Sequence, residues 1–293
     1  MDYSPHASIL GLIVSYNGGS TLVATAEAAC VQVDQLLIID NHSQADSIHL
    51  IRTMTNSHAN IAAQLNTTNI GLAAALNQGI AFAVERGFQY LLTLDQDSVI
   101  HPGMVAALHA VCSSDNTIGI ASPWTYFVAD GKVSGREPET KLPYSTDRVW
   151  TGGSLSPVDT LLRVGGFPEN YFIDYVDYAL CYKIRKSGLK VVVVPAAHMT
   201  QRRAALRSGT FAGRKVFYSN YSAVRRYYIA RNGLILSWQM RSLSSLSRHL
   251  ILLANETAKV LLFEENKGVK LWMTLLGILH GVTGRMGPLR LNT

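Results

Sequence analysis

Through the first two hundred residues, short apolar runs alternate with longer stretches of helical periodicity. Ile9–Val14 is one such run, and it breaks into the polar turn Ser15-Tyr16-Asn17-Gly18-Gly19 before a predicted helix over residues 20–33. Leu36–Ile39 predicts a second buried strand ending at Asp40-Asn41, and residues 46–58 a second helix. Gly71–Arg86, rich in Ala and Leu, predicts a helix closed by Gly87, and Tyr90–Leu94 a strand ending at Asp95. His101–Cys112 reads as a helix with Pro102 in its first turn, where the missing N–H would have no partner anyway. Ile118–Ser122 and Val191–Val194 complete the strands, the last expected to stop at Pro195. Residues 178–186 read as helical. Gly131, Gly135, Pro138 and Pro143 loosen the pattern between 130 and 150 and predict a mobile loop. From 201 onward strand signals vanish. Leu243, Leu246, Leu250, Leu253, Val260 and Leu261 fall on one helical face. Val269, Trp272, Leu275, Leu276, Leu279 and Val282 fall on another, across a turn at Glu264–Gly268.

Apolar strands that alternate with helices predict an α/β fold, with a mostly parallel central sheet covered on both faces. In such sheets ligands bind beyond the carboxyl ends of the strands. Here those ends carry Tyr16-Asn17, Asp40-Asn41, Asp95–Asp97 and, beyond the last strand, His198. The pattern divides the chain into a body over 1–205 and a helical region over 206–293.

Charge sharpens that division. Residues 1–200 carry 11 Lys and Arg against 17 Asp and Glu, whereas residues 201–293 carry 15 against 3. No carboxylate occurs between Asp177 and Glu256. With 48% apolar and 16% charged residues, disorder is excluded as the main state. Three scattered cysteines, Cys30, Cys112 and Cys181, argue against a disulfide framework or a structural zinc site and for a reducing cytoplasm. The sequence MDYSPHAS shows no leader pattern, and no run of 18 uncharged apolar residues predicts a spanning helix.

The candidate chemistry gathers at the strand ends. In Leu91–Ser98, Asp95 and Asp97 leave a buried strand together, as a hard divalent cation bound to a diphosphate requires; alternatively Asp97 caps the next element. Asp95-Gln96-Asp97-Ser98-Val99 also matches the nucleophile motif of haloacid-dehalogenase-like phosphatases, with Asp95 as nucleophile. That family, however, places the motif on its first strand, and here two predicted strands precede it. Gly165–Asp177 leads from a Gly-Gly turn through aromatics to Asp174 and Asp177. These two share a face if the helix begins at Asp174, which would otherwise be an N-cap; Asp177 could be a dipole residue. A carboxylate held among aromatics tends toward a raised pKa and suits a general base. His198 is either structural or a metal ligand beside Asp97. Asp40 is placed to read a nucleoside, but no Gly-x-Gly-x-x-Gly follows the first strand, which excludes a dinucleotide-dependent dehydrogenase.

Taken in order, these segments resemble an inverting glycosyltransferase of family 2, and within it bacterial rhamnosyltransferases that build O-antigen and related surface polysaccharides. The matching segments are Ile13–Asn17, Ile38–Ser43, Asn69–Gly79, Asp95–Ser98, Thr151–Ser154 and Gly165–Asp177. His198 and Arg225–Tyr228 with Arg231-Asn232 match as well. The resemblance implies a GT-A, Rossmann-like nucleotide-sugar-binding domain. It implies that Tyr16, Asn17 and Asp40 hold the nucleoside, with Asn69, Gly71 and Asn77 framing that pocket, and that Asp95 and Gln96 line the donor. Asp97 and His198 would hold Mg2+ or Mn2+, and Asp177 would be the base. Val176 replaces the Glu that often precedes that Asp, so Asp174 is an assisting candidate. The acceptor would sit near Trp150, Gly152, Gly153 and Ser154. The implied donor is dTDP-rhamnose, and the acceptor a saccharide on a polyprenyl diphosphate lipid. A non-catalytic nucleotide-sugar-binding protein is the other alternative.

The basic tail interleaves Arg202, Arg203, Arg207, Arg214, Arg225 and Arg226 with Phe211, Phe217, Tyr218 and Tyr221. Nucleic acid is the least favoured partner, because no binding motif accompanies the charges. A homodimer interface and an anionic membrane surface remain open, and the resemblance favours the membrane, placing the chain at the cytoplasmic face of the inner membrane.

Overall fold

The computed structural model describes residues 8–129, 132–202 and 206–290. The N-terminal residues behind the leader reading, Gly131 of the loop and Arg203 of the tail lie outside them. The chain forms two compact units, one of Met1–Pro168 with Asp177–Arg202, the other of Glu169–Val176 with Arg203–Thr293.

The first unit opens with β1 (Ile9–Ser15), α1 (Gly19–Cys30), β2 (Gln35–Asp40), α2 (Ala45–Ser57), β3 (Ile61–Leu65), α3 (Leu72–Glu85) and β4 (Tyr90–Asp95). It continues with β5 (Ser98–Ile100), α4 (Met104–Ser114), β6 (Ile118–Ala129), β7 (Lys132–Ser134), β8 (Tyr144–Ser145), β9 (Ser154–Pro157), α5 (Val158–Arg163), α6 (Val176–Lys186) and β10 (Lys190–Arg202). The sheet order is β3-β2-β1-β4-β9-β6-β10-β5, with β7 on β6 and β8 on β10. Strands β3, β2, β1 and β4 are parallel, β9 runs against β4 and β6, and β6 and β10 are parallel again. Helices cover both faces, so β1 and β2 are buried nearly residue by residue rather than on alternate positions. Leu22, Ala26, Leu36, Ile38, Leu92 and Leu94 are among the residues of that core.

Several expectations need correction. The helix after Ile100 starts at Met104 behind a left-handed Gly103, so Pro102 precedes it. β3 stands where no strand was expected. Pro195 does not end its strand. β10 runs through to Arg202, and its register against β6 jumps from Val194↔Pro123 to His198↔Trp124, leaving Pro195, Ala196 and Ala197 in a bulge. A bulge is where a proline without a ladder N–H is tolerated. The continuation matters, because the second half of β10 pairs with β5, directly after Asp97. Cys30, Cys112 and Cys181 are all buried, and burial pushes Cys112 and Cys181 up to about 12.

The second unit contains a hairpin of β11 (Arg207–Phe211) and β12 (Arg214–Tyr218), then α7 (Ala223–Gln239), α8 (Leu243–Phe263) and α9 (Lys267–Val282). The hairpin corrects the expectation of no strands beyond 201. Most of its residues are exposed, so no apolar alternation betrays it in sequence. α7 starts at an N-cap whose Ser222 side chain accepts from the Arg225 amide. It is the buried centre, with Tyr227, Arg231, Asn232 and Leu234 inside. Close neighbours demand glycine at two points: a Cβ at Gly233 would lie 2.1 Å from the His249 ring, and one at Gly277 2.4 Å from the Tyr227 carbonyl oxygen.

His249 faces the Ala230 carbonyl with Nε2 at 3.2 Å and the Tyr175 hydroxyl with Nδ1 at 2.8 Å. A carbonyl only accepts, so Nε2 carries the proton and Nδ1 accepts from the tyrosine. Burial holds this histidine below its ordinary range, as it does His101 and His280. The unfolded chain therefore binds more protons below about pH 6.5 than the folded one. Stability is expected to be full above that pH and to decline as pH falls through it. Thermal melts from pH 7.5 down to about pH 5 check this, and His249→Gln should flatten the slope.

Candidate functional site

The carboxyl ends of β1, β2 and β4 form one edge, and side chains from each lock the next. Gln96 brackets the end of β1, its Oε1 accepting from the Tyr16 amide at 2.8 Å and its Nε2 donating to the Tyr16 carbonyl at 3.2 Å. Asn17 adopts a left-handed φ of 54°, which asparagine tolerates better than most residues. From there its amide donates to Ser43 Oγ at 2.7 Å, and its Oδ1 accepts from the Gln44 amide at 2.9 Å. The Tyr16 ring stays half exposed above this turn.

Asp40 is 1% exposed. Its Oδ2 accepts from the Ser43 amide at 2.8 Å, while its Oδ1 is buried with no partner among the described residues. A buried acceptor left unmatched costs about 1–3 kcal/mol, a cost that a donor from a ligand would remove. Beside it, Asn41 Nδ2 donates to Asn69 Oδ1 at 3.0 Å, and Asn41 Oδ1 accepts from the Ile70 amide at 3.1 Å. Asn69 Oδ1 also accepts from the Gly71 amide at 3.0 Å, where Gly71 begins α3 with φ 88°. Asn69 and Gly71 therefore adjoin Asp40 through Asn41. Asn77 bonds to Phe167. Its Nδ2 donates to the Phe167 carbonyl at 2.9 Å and its Oδ1 accepts from the Phe167 amide at 2.8 Å, which ties α3 to the Gly165-Gly166 turn.

Asp95 Oδ2 accepts from Gln201 Nε2 at 2.7 Å, a partner 106 residues away supplied by the unexpected second half of β10. The Thr151–Ser154 turn lies against the same carboxylate: a Cβ on Gly152 would stand 2.5 Å from Asp95 Oδ2 and would displace it. The turn is fastened to β4 by the Gly153 amide to the Thr93 carbonyl at 2.7 Å and by Thr93 Oγ1 to the Thr151 carbonyl at 2.6 Å. A phosphatase nucleophile would need Asp95 on the first strand; it ends β4, the fourth in chain order.

Asp97 and His198 are not brought together. The Asp97 carbonyl accepts from the Arg202 amide, whereas the His198 carbonyl accepts from the His101 amide. The two pairs lie four residues apart along β5 and β10, roughly 13 Å at about 3.3 Å per residue. His198 instead packs near His101 and Tyr126. Among the described residues no cluster of three or more His, Cys, Asp or Glu is shaped to hold a metal. A hard cation bound by one or two carboxylates and a ligand's phosphate oxygens needs no such cluster. Asp95 and Asp97 fit that mode, and His198 drops out of the ligand set.

Asp177 lies in the first turn of α6, its Oδ1 accepting from the Tyr178 amide at 2.8 Å. Tyr178 connects it to the acceptor candidates. Burial raises the Tyr178 hydroxyl first and the Asp177 charge raises it further, while Arg148 and a hydrogen bond from Trp150 act the other way. Arg148 stands 4.8 Å over the Tyr178 ring. The Val149 amide meets Cys181 Sγ at 3.4 Å, holding this strand of chain to α6. Trp150, 43% exposed, packs edge-on against Phe127. Trp150, the Gly152–Ser154 turn and Asp177 thus belong to one neighbourhood.

Asp174 has a different place, in the second unit. Its φ of 58° is not that of a helical start, and α6 begins two residues later at Val176, which leaves Asp174 short of the N-cap position expected of it. Its carboxylate is gripped by Arg225 through Nε at 3.1 Å and Nη2 at 3.0 Å. Burial pushes this carboxyl up and Arg225 pulls it down. Asp174 thereby fastens its segment to the start of α7. The residues missed from sequence are Gln201, Arg148 and Tyr178, each identified by a partner distant in sequence. None of the three carries a local signal.

A family model described as Glycosyl transferase family 2 matches residues 12–159. The dTDP-rhamnosyl transferase RfbF of Shigella flexneri is 27% identical over 238 residues, covering 76% of this chain and 79% of that one. Among solved structures, a mannosyltransferase from Pyrobaculum calidifontis in complex with GDP-Man and Mn2+ superposes with TM-score 0.61 at 13% identity, covering 97% of this chain and 89% of the other. GalNAc-T7 with UDP, GalNAc and Mn2+ gives TM-score 0.60 at 18% identity over 78% of this chain, which spans only 48% of that protein. The architecture is the GT-A fold.

Proposed function

The chain belongs to glycosyl transferase family 2, and on that footing we propose that it transfers L-rhamnose from dTDP-β-L-rhamnose to a saccharide acceptor, with inversion and with Asp177 as general base. The rhamnosyl relative supports the choice of donor. The observation that carries the nucleotide part is the unmatched Asp40 Oδ1 at the strand edge. Thymine and uracil present an N3–H that this oxygen accepts, and the exposed Tyr16 ring offers a stacking face beside it.

The acceptor hydroxyl loses its proton to Asp177 as it attacks the anomeric carbon, and the bond to the nucleoside diphosphate breaks on the opposite side. A β-linked donor then gives an α-linked product. The Trp150 ring and the Gly152–Ser154 turn receive the acceptor, and the 132–150 segment covers the donor against water. Asp95 and Asp97, with the donor's phosphate oxygens, would hold a divalent cation, Mg2+ or Mn2+, whose charge stabilises the departing diphosphate. The solved relatives that carry Mn2+ support that assignment. The acceptor is a saccharide borne on a polyprenyl diphosphate lipid in surface-polysaccharide assembly.

A panel of nucleotide-sugars, scored by thermal shift with and without Mg2+ or Mn2+, tests the donor. dTDP-rhamnose is expected to stabilise the chain more than UDP- or GDP-sugars. In Asp40→Ala its affinity should fall about 10–100-fold, the loss of one buried hydrogen bond to an otherwise unmatched group. Equal shifts from all nucleotides, or an unchanged affinity in the variant, would sink the assignment.

A further inference from the structure

α8 and α9 leave their outer sides bare. On α9, Val269, Trp272, Leu275, Leu279 and Val282 recur every three or four residues, and each is more than half exposed. They make one apolar stripe about 20 Å long at 1.5 Å per residue. The helix interrupts it with no exposed charge, since Lys270 turns inward to Glu264 at 2.7 Å. On α8, Leu243, Leu250, Ile251, Leu261 and Leu262 are exposed in the same way. An uncovered face of this extent marks an interaction surface.

The charges around it narrow the partner. Of the three carboxylates beyond residue 201, Glu264 is fully buried between Arg226 and Lys270, Glu256 pairs with Arg226 and Lys259, and Glu265 alone is exposed. Cations dominate what remains at the surface. Arg241 precedes α8, Lys267 opens α9 and Arg285 follows it, all exposed at the ends of the apolar faces. The hairpin adds exposed Arg214 and Lys215 beside half-exposed Phe211 and Phe217. It is fixed to the end of α8, where Tyr218 stacks on Phe263 at 5.4 Å. Among the described residues no helix is long and apolar enough to cross a membrane.

We infer that the outer face of α8 and α9 docks in the plane of a bilayer bearing anionic headgroups. The aliphatic and Trp272 side chains enter the acyl boundary, and Arg241, Lys267 and Arg285 meet the lipid phosphates. A second copy of the chain would bring the same cations against themselves. A nucleic acid would leave the aliphatic stripe uncovered.

Sedimentation of the full chain with phosphatidylcholine vesicles, with and without phosphatidylglycerol, tests this without any donor or acceptor, so it stands apart from the transfer reading. The chain should sediment with the anionic vesicles, less so as salt rises, and far less with the neutral ones. Trp272→Glu with Leu279→Glu should weaken binding at least about tenfold, and Lys267→Gln with Arg285→Gln about thirtyfold. All four positions are exposed, and an unchanged melting temperature shows that the fold survives. Three results would overturn the inference: no binding to anionic vesicles, equal binding by both variants, or a dimer in buffer that Trp272→Glu converts to monomer.

Discussion

Asp177→Asn is expected to slow sugar transfer by about 10²–10⁴, the usual contribution of a positioned general base, while donor binding stays as it was. The substitution is nearly isosteric. The amide oxygen can still accept from the Tyr178 amide, the bond that now occupies Asp177 Oδ1 at 2.8 Å. What the amide lacks is a basic oxygen to receive the acceptor's hydroxyl proton. The loss should therefore appear in the rate of a single turnover at saturating donor. Dissociation constants for the nucleotide, measured by calorimetry, should be unaltered. A variant with wild-type turnover and an intact fold would remove Asp177 from the mechanism.

The second large effect is expected in stability. Asn232 is fully buried, and its one amide nitrogen serves three carbonyls: Tyr171 at 3.0 Å, Ile173 at 2.8 Å and Asp174 at 2.9 Å. Neighbouring Arg231 donates to the carbonyls of Asn170 at 3.2 Å and Tyr171 at 3.0 Å, and its Nε donates to Asn232 Oδ1 at 2.8 Å. The segment they hold is strained. Phe172, Asp174 and Tyr175 have φ of 68°, 58° and 64°, a region that costs such residues about 1–3 kcal/mol each. Asn232→Asp keeps the shape but turns an oxygen toward three oxygens. It should lower the unfolding free energy by about 2–4 kcal/mol, read from denaturant melts. Transfer should fall too, because the strained segment ends two residues before Asp177. An unchanged melt would show that the clamp is dispensable.

The strands up to Asp95 were legible because apolar runs there are cut by Asn, Gly and Asp at their ends. β3 was not, since Ile-Ala-Ala-Gln-Leu carries little β-branched signal. β10 looked finished at Pro195 because sequence does not reveal a bulge. α7 hid for a different reason: it is buried all round and places Arg231 and Asn232 inside, so no polar face marks it. The site divides along the same line. Residues at strand ends, Tyr16, Asp40 and Asp95, were found from position alone. Pairings across the fold were not, as with Gln201 on Asp95 or Asn77 on Phe167.

The three cysteines have a practical corollary. Each thiol is buried and each is pushed toward its protonated form. Thiolate is the species that reacts with alkylating agents, so the native surface is chemically silent to them. The protein is in effect a cysteine-free template. A single cysteine introduced at an exposed position such as Leu279 or Phe217 would be the one reactive handle on the molecule, and a fluorophore or spin label attached there could report the local surroundings of that face without first stripping the natural thiols.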